Sequence, residues 1–124
     1  MKSLFTIAHQ QSEEAADFGF DWHNSQDVMN KIFEEIHELQ EGVHQRNRHN
    51  IEHEMGDVLL ALTSLARHCD ISLEHAFSKA IQRFQNRWEM MQKLTTTPVE
   101  SLSSAELEIL WEQAKEELQN QEDQ

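Results

Sequence analysis

The chain has 124 residues, the usual size of one domain and enough to bury a hydrophobic core. Its 23 Asp and Glu residues against 10 Lys and Arg give a formal net charge of -13, which disfavours nonspecific binding to nucleic acid or to an anionic membrane. The single cysteine, Cys69, excludes an internal disulfide, and no run has the length of a signal-peptide core or a membrane span, so we expect a cytoplasmic protein.

The spacing of apolar residues indicates helices throughout. There are three glycines and one proline, and no stretch alternates apolar and polar residues over the length of a strand. We predict an all-α fold, an antiparallel bundle of four to five helices. It forms one domain over 1–124, with a metal-binding core at 25–94, a C-terminal helix at 103–119 and a frayed tail at 120–124.

The first predicted helix, with apolar positions from Leu4 to Phe18, ends at the segment GFDWHNS. Gly19 permits a turn there, and Asn24 or Ser25 is suited to cap the next helix. Phe20 and Trp22 in this turn have two interpretations: they wall a pocket for a nucleobase, or they close one end of the core.

Two pairs of acidic residues on the next two helices are the most informative feature. Glu35 and Glu38 are three residues apart, as are Glu54 and Asp57, and i, i+3 side chains lie on one helix face. Packing the two helices together would bring four carboxylates to one site. Carboxylate oxygens suit Mg²⁺, or Mn²⁺ as a substitute, better than zinc.

The angular positions of these acids separate them from ordinary surface residues. They border or enter apolar arcs, where a carboxylate needs a compensating cation or donor. The alternative, that all four are simply solvated, fits Glu34 and Glu41 better. Glu34 to His37 and Glu41 to His44 spell ExxH, a di-iron pattern, but Glu34, His37 and Glu41 point away from the apolar stripe. The predicted apolar arcs consist of Val28, Ile32, Ile36, Leu39 and Val43 on one helix, and of Ile51, Met55, Val58, Leu62 and Leu65 on the other.

The second of these helices has a wide apolar face, because Leu59 and Leu60 extend it beyond one stripe. Such a face belongs either to a central helix or to a contact between subunits, and we expect a homo-oligomer. Arg67 lies opposite the main stripe, facing an interface or solvent. Cys69 falls in an apolar run and is predicted to pack in the core.

A third long helix is predicted from Ser72. Its polar face repeats Lys79, Arg83 and Arg87 every four residues, three of only ten cations. This row either holds phosphate oxygens, for which Arg is well suited, or pairs with surface acids such as Glu89.

The last helix opens at Ser103, where Ser103 and Glu106 have the spacing of a capping box. Trp111 and Lys115 stand one turn apart, so an aromatic face and a cation address either one ligand or the rest of the bundle.

Taken together, these segments resemble the MazG-type nucleoside triphosphate pyrophosphohydrolases, most closely the C-terminal catalytic repeat of the two-repeat MazG proteins. The likeness covers nearly the whole chain, and EExxE followed by ExxD on the next helix is its most specific part. The landmarks are GFDW at 19–22, KIFEEIHEL at 31–39, EMGDVLL at 54–60, LAR at 65–67, RFQNRW at 83–88 and LWEQAK at 110–115.

The resemblance implies an Mg²⁺-dependent enzyme that cleaves nucleoside triphosphates between the α and β phosphates in nucleotide-pool housecleaning. It also implies a homodimer or homotetramer. The metal ligands would be Glu35, Glu38, Glu54 and Asp57. Triphosphate contacts would come from Lys31, Arg83, Arg87 and Lys115, and a base contact from Trp111. Two departures from the family pattern are Ile81, where an Asn is common, and Leu60, where Phe is usual.

For the reaction, we expect Glu38, with Glu35 as the second candidate, to accept the proton of the attacking water. One alternative is a catalytically silent bundle that binds nucleotide and regulates, and another is a structural helical adaptor. Neither a nucleic-acid polymer nor a membrane is an expected partner.

Overall fold

The computed structural model describes residues 1–123, and their secondary structure is helical without strands. This confirms the predicted all-α class. One short 3-10 helix, Val99–Ser101, precedes the last α-helix. The α-helices are α1 (Leu4–Asp17), α2 (Ser25–His44), α3 (Arg48–His68), α4 (Leu73–Leu94) and α5 (Ser104–Glu122).

Short polar side chains fix where these helices begin. Asn24 caps α2 by accepting a hydrogen bond from the Asp27 backbone N–H, and Asn47 caps α3 in the same way through Asn50. At α5, Ser103 and Glu106 exchange both hydrogen bonds of the predicted capping box.

The first three helices all end in a left-handed residue. Gly19, Arg46 and Asp70 have φ of 89°, 56° and 56°. The next backbone N–H then reaches back to the third-last helical carbonyl, for example from Phe20 to Ala15 at 2.9 Å. Only Gly19 adopts this conformation without steric cost, as the sequence predicted.

The chain folds as two compact units, one comprising Met1–Ala76 and the other beginning at Phe77, within α4. In the first unit α3 packs against both α2 and α1. Val28, Ile32 and Ala66 are buried. The loop between α2 and α3 is only three residues long, so the two helices form a hairpin that places their acidic residues side by side.

The buried stripe on this hairpin is narrower than predicted. Ile36, Val43 and Met55 were expected in it, but their side chains are 47%, 54% and 53% exposed. Leu59 and Leu60 are also about half exposed. Helical periodicity identifies an apolar arc correctly, whereas its covered width depends on which neighbouring helix lies against it.

In the second unit, Met90 and Met91 on α4 are buried together with Leu110 and Ala114 on α5. Helix α5 continues to Glu122, beyond the predicted end at 119, so the predicted frayed tail is helical through that residue. Gln124, the last residue of that tail, lies outside the described residues.

Two further predictions were wrong. Cys69 is exposed, because it is the C-cap of α3 rather than a core residue. Arg67 makes internal polar contacts instead of facing an interface or solvent, and its side chain is only 17% exposed. Among residues 1–123, no helix is long and apolar enough to cross a membrane.

Candidate metal centre

Carboxylates from α2 and α3 converge where the two helices pack. One oxygen each from Glu35, Glu38 and Glu54 lies within 4.8 Å of the others. The i, i+3 spacing places the two glutamates of α2 on one face, and the short hairpin loop brings Glu54 opposite them. Three of the four predicted acids therefore meet in one group.

Asp57 joins this centre through Glu54. Oxygens of Glu54 and Asp57 form a second group with His53, again within 4.8 Å of one another. His53 Nε2 is 3.2 Å from Asp57 Oδ2. The sequence analysis did not single out His53, although its i, i+4 spacing from Asp57 was a signal that could have found it.

The acids of the centre are poorly compensated. Glu35 is 5% exposed, and its Oε1 accepts from Lys31 Nζ at 2.9 Å. The other oxygen, Oε2, is buried without a hydrogen-bond partner, and Glu54 Oε2 is in the same condition. One lysine thus faces several carboxylates, so a cation or a proton is needed to balance the remaining charge.

The closeness of the Glu35 and Glu54 carboxyl groups separates their pKa values. A hydrogen bond to the Glu35 carboxyl, which forms only when one of the two groups carries a proton, raises the pKa of Glu54 to about 7, together with burial and the nearby charge of Glu38. The same hydrogen bond, together with Lys31, lowers the pKa of Glu35. A proton shared in this way at neutral pH marks the place where a bound cation would be most favourable.

A cleft of about 340 Å³ adjoins the centre. Lys31, Glu35 and Asp57 contribute its charged lining, and Trp22 and Leu60 contribute apolar lining. An aromatic side chain, a cation and two acids of the candidate centre therefore border one opening on the same unit.

The turn between α1 and α2 is tied to the end of α3. Asp21 Oδ1 accepts from the Arg67 guanidinium and lies 3.0 Å from His68 Nε2, and Arg67 Nε donates to Ser12 Oγ at 2.8 Å. The hydrogen bond from Arg67 lowers the pKa of Asp21 to about 2. Sequence spacing gave no signal of this contact, because its partners are 46 residues apart.

The three residues that were predicted to point away from the apolar stripe of α2 do lie on its exposed face. Glu34, His37 and Glu41 are exposed, and His37 Nε2 lies 3.2 Å from Glu41 Oε1. In the part of the chain that is described, no group of potential metal ligands includes them. The ExxH spacing therefore does not form a di-iron centre.

Comparison with known proteins identifies a family that this chain matches. Residues 23–91, more than half of the chain and all four acids, match the MazG nucleotide pyrophosphohydrolase domain. The chain belongs to this family. It is 34% identical over 113 residues to a nucleoside triphosphate pyrophosphohydrolase/pyrophosphatase MazG of Thermotoga maritima, covering 89% of this chain and 43% of that protein.

A nucleoside triphosphate pyrophosphohydrolase of Escherichia coli is 31% identical over 113 residues, covering 87% of this chain and 43% of the relative. The chain thus spans less than half the length of the curated relatives it matches. The segment that matches the MazG domain contains the four acids, Lys31, Arg83 and Arg87. Trp111 and Lys115 lie after the end of that segment.

The remaining predicted contact residues belong to the second unit. The Arg87 guanidinium lies 5.4 Å from the centroid of the Trp111 ring, and Phe84 packs against the same ring at 5.5 Å. Lys115 Nζ is 3.7 Å from Glu112 Oε2. Lys79 and Arg83 are exposed, and within residues 1–123 neither forms an ion pair, with Glu89 or any other acid.

Proposed function

We propose that the chain hydrolyses nucleoside triphosphates between the α and β phosphates. The observation that carries this proposal is the convergence of Glu35, Glu38 and Glu54, in which two buried oxygens have no donor. Family membership and the names of the two curated relatives support the same reaction. Its products are a nucleoside monophosphate and pyrophosphate, as expected of a role in nucleotide-pool housecleaning.

The donor set fits a hard divalent cation. Glu35, Glu38 and Glu54 offer only carboxylate oxygens, and Asp57 extends the set, so Mg²⁺ is the proposed cofactor with Mn²⁺ as a substitute. When bound there, such an ion supplies positive charge that lowers the pKa of a coordinated water and neutralises phosphate oxygens.

Side chains of the protein are proposed to carry out the proton transfer. Glu38 is exposed at the edge of the group and is the proposed acceptor of the proton from the attacking water, with Glu35 as the second candidate. The water oxygen forms a bond to the α phosphorus while the bond from that phosphorus to the bridging oxygen breaks. The electron pair leaves with pyrophosphate.

Cationic side chains are proposed to stabilise the triphosphate. Lys31 borders the acidic cleft of the first unit, and its pKa is raised by its hydrogen bond to Glu35, so it stays charged at neutral pH. Arg83, Arg87 and Lys115 remain the predicted contacts from the second unit. Trp111 remains a predicted base contact.

A nucleotide panel tests the function directly. Purified chain is incubated with each common ribo- and deoxyribonucleoside triphosphate and Mg²⁺, and phosphorus NMR distinguishes pyrophosphate from phosphate. We expect monophosphate and pyrophosphate in equal amounts, and none in Glu38→Gln or Asp57→Asn. Glu41→Gln is the matched control, since Glu41 lies on the exposed face of the same helix and its carboxylate contacts His37 rather than Lys31.

Two outcomes would contradict the proposal. Release of phosphate instead of pyrophosphate would refute cleavage at the α phosphorus. Nucleotide binding without any turnover in the unmodified chain would favour the silent regulatory bundle.

We further propose that the chain assembles with copies of itself through α3. Met55 and Leu59, one turn apart on α3, each expose about half of their surface, as does Leu60 next to them, and exposed apolar side chains grouped in this way are typical of a protein interface. Light scattering coupled to size exclusion is expected to show a dimer or tetramer. A monomer at all concentrations would contradict this.

A further inference from the structure

His53 places an imidazole among the acids of the candidate metal centre. Its ring, the Glu54 carboxylate and the Asp57 carboxylate each offer an atom that lies within 4.8 Å of the other two. Ligands that bind one transition-metal ion at about 2.0–2.2 Å lie at most about 4.4 Å apart, so small side-chain movements suffice to make these three residues a ligand set. Within residues 1–123, no other group of potential metal ligands contains a histidine.

We propose that His53 is a metal ligand of this chain, and that with Glu54 and Asp57 it makes the centre favour a transition-metal ion such as Co²⁺ or Zn²⁺ over Mg²⁺. The inference rests on the proposed function only in assuming that the acids hold a divalent cation. Carboxylate oxygens suit Mg²⁺, whereas imidazole nitrogen suits transition metals. A mixed nitrogen and oxygen set therefore changes the preference that four carboxylates alone would give.

The negative charge needed to bind such an ion is present and uncompensated. Glu54 Oε2 is buried without a hydrogen-bond partner, and so is Oε2 of Glu35, whose side chain is 5% exposed. Lys31 pairs with Glu35, but among the described residues no lysine or arginine pairs with Glu54 or Asp57. An ion bound beside His53 would therefore balance charge that the cations of the protein leave unpaired.

A second histidine pair shows what distinguishes His53. His53 Nε2 is 3.2 Å from Asp57 Oδ2, and His37 Nε2 is 3.2 Å from Glu41 Oε1, both with i, i+4 spacing. Yet in the described part of the chain no group of three potential ligands includes His37. The distance alone is thus an ordinary surface contact. What makes the His53 pair a candidate site is Glu54, which adds a third donor.

The spacing of His53 and Asp57 also suits two neighbouring ligands of one ion. With bonds of about 2.1 Å, such ligands lie about 3.0 Å apart around an octahedral ion and about 3.4 Å apart around a tetrahedral one. The observed 3.2 Å falls between these values. The two residues share one face of α3, so they can bind the same ion without a change in the helix.

The position is open to an ion from solvent. The His53 side chain is 62% exposed, and Asp57 lines the cleft of about 340 Å³ beside the acidic centre. Lys31 and Trp22 line the same cleft. An ion held by His53 and Asp57 would therefore border the opening through which we propose that the substrate reaches the acids.

Calorimetric titration of the full chain with Zn²⁺ alone, and separately with Mg²⁺ alone, tests the proposal. His53→Gln keeps a polar side chain of similar length but removes the imidazole. We expect it to weaken Zn²⁺ binding at least about tenfold, the loss typical even of a residue that only supports a metal ligand. Mg²⁺ binding should change less than about threefold, because Mg²⁺ prefers oxygen ligands.

His37→Gln is the matched control, because it removes an imidazole from the same kind of i, i+4 pair at the same distance. We expect it to change neither affinity. Both side chains are exposed, so neither variant is expected to unfold the chain, and circular dichroism checks this.

Histidine NMR identifies which imidazole binds. The chain has eight histidines, and Zn²⁺ has some affinity for any of them. In the full chain labelled with ¹⁵N-histidine, the His53 and His37 ring signals are assigned from the two variants. We expect the first equivalent of Zn²⁺ to shift the ring nitrogens of His53 and to leave those of His37 unchanged.

Three results would overturn the inference. One is an unchanged Zn²⁺ affinity in His53→Gln, and another is a first equivalent of Zn²⁺ that shifts a histidine other than His53. The third is equal weakening of Zn²⁺ and Mg²⁺ binding by His53→Gln, which would mean that His53 supports the centre without setting its metal preference. No nucleotide is present in these measurements. A chain that binds Zn²⁺ through His53 but hydrolyses no nucleotide would therefore refute the proposed function alone.

Discussion

Helix α3 contributes to two charged clusters of opposite character. Near its start, Glu54 and Asp57 lie with Glu35 and Glu38, and Lys31 is the lysine paired with them. At its end, Arg67 and His68 surround the single carboxylate of Asp21. The first cluster has more acids than cations, and the second has more possible donors than acids.

The pKa values express this difference. The pKa of Glu54 is raised to about 7, whereas that of Asp21 is lowered to about 2. A carboxylate that is satisfied by its neighbours stabilises the fold, whereas one that is not satisfied is available for a ligand. We therefore interpret the Asp21 cluster as structural and the Glu54 cluster as functional, and the following predictions test that distinction.

The largest expected effect is at the acidic centre. Glu54→Gln should abolish pyrophosphate release and also abolish the rise in melting temperature that we expect Mg²⁺ to cause in the unmodified chain, since binding to the folded state stabilises it. In the absence of metal, the same variant should melt at a higher temperature, because it replaces a carboxylate whose Oε2 is buried without a donor. Calorimetry with and without Mg²⁺ measures both. A lower metal-free melting temperature would show that Glu54 is a structural residue like Asp21.

The opposite sign is expected at the other end of α3. Asp21→Asn should lower the free energy of unfolding by about 1–3 kcal/mol, because it leaves the partly buried Arg67 without its charged partner. It should leave the Mg²⁺-induced stabilisation in place. Urea unfolding gives the free energy, and a loss of Mg²⁺ stabilisation in this variant would show that the two clusters are not separate.

The two clusters should also respond to pH in opposite directions. Glu54 holds its proton more tightly when folded, so the metal-free chain should lose stability as pH rises from its ordinary pKa of 4.5 to about 7. Asp21 holds its proton less tightly when folded, so its contribution should be lost as pH falls from 3.8 towards 2. Chemical unfolding across this range should show both slopes. Glu54→Gln should remove the first slope and Asp21→Asn should reduce the second, to which Glu35, with its lowered pKa, also contributes.

The smallest effect is expected on the outer face of α2. Glu41→Gln should change the free energy of unfolding by less than about 0.5 kcal/mol, because its contact with His37 is exposed and worth little. Turnover and Mg²⁺ stabilisation should be unchanged. A large loss in either would mean that the functional surface extends beyond the acidic centre.

The acidic cluster could be predicted from the sequence, whereas the Asp21 cluster could not. The Glu35 and Glu38 pair and the Glu54 and Asp57 pair were visible because i, i+3 spacing is a local property of a helix. The contact of Asp21 with Arg67 was not, because it joins residues far apart in sequence and depends on how the turn after α1 folds back onto α3. Arg67 was accordingly misassigned to an interface or solvent, and Cys69 to the core.

The sequence alone determined the helices, the cap of the last helix at Ser103, and the faces that carry the acids, because each depends on residues within a turn or two of one another. Only the tertiary structure decided which carboxylate oxygens are left without a donor, which cation satisfies Asp21, and that a cleft adjoins the acidic centre. Those properties depend on burial and on contacts between helices, and neither is encoded in local spacing.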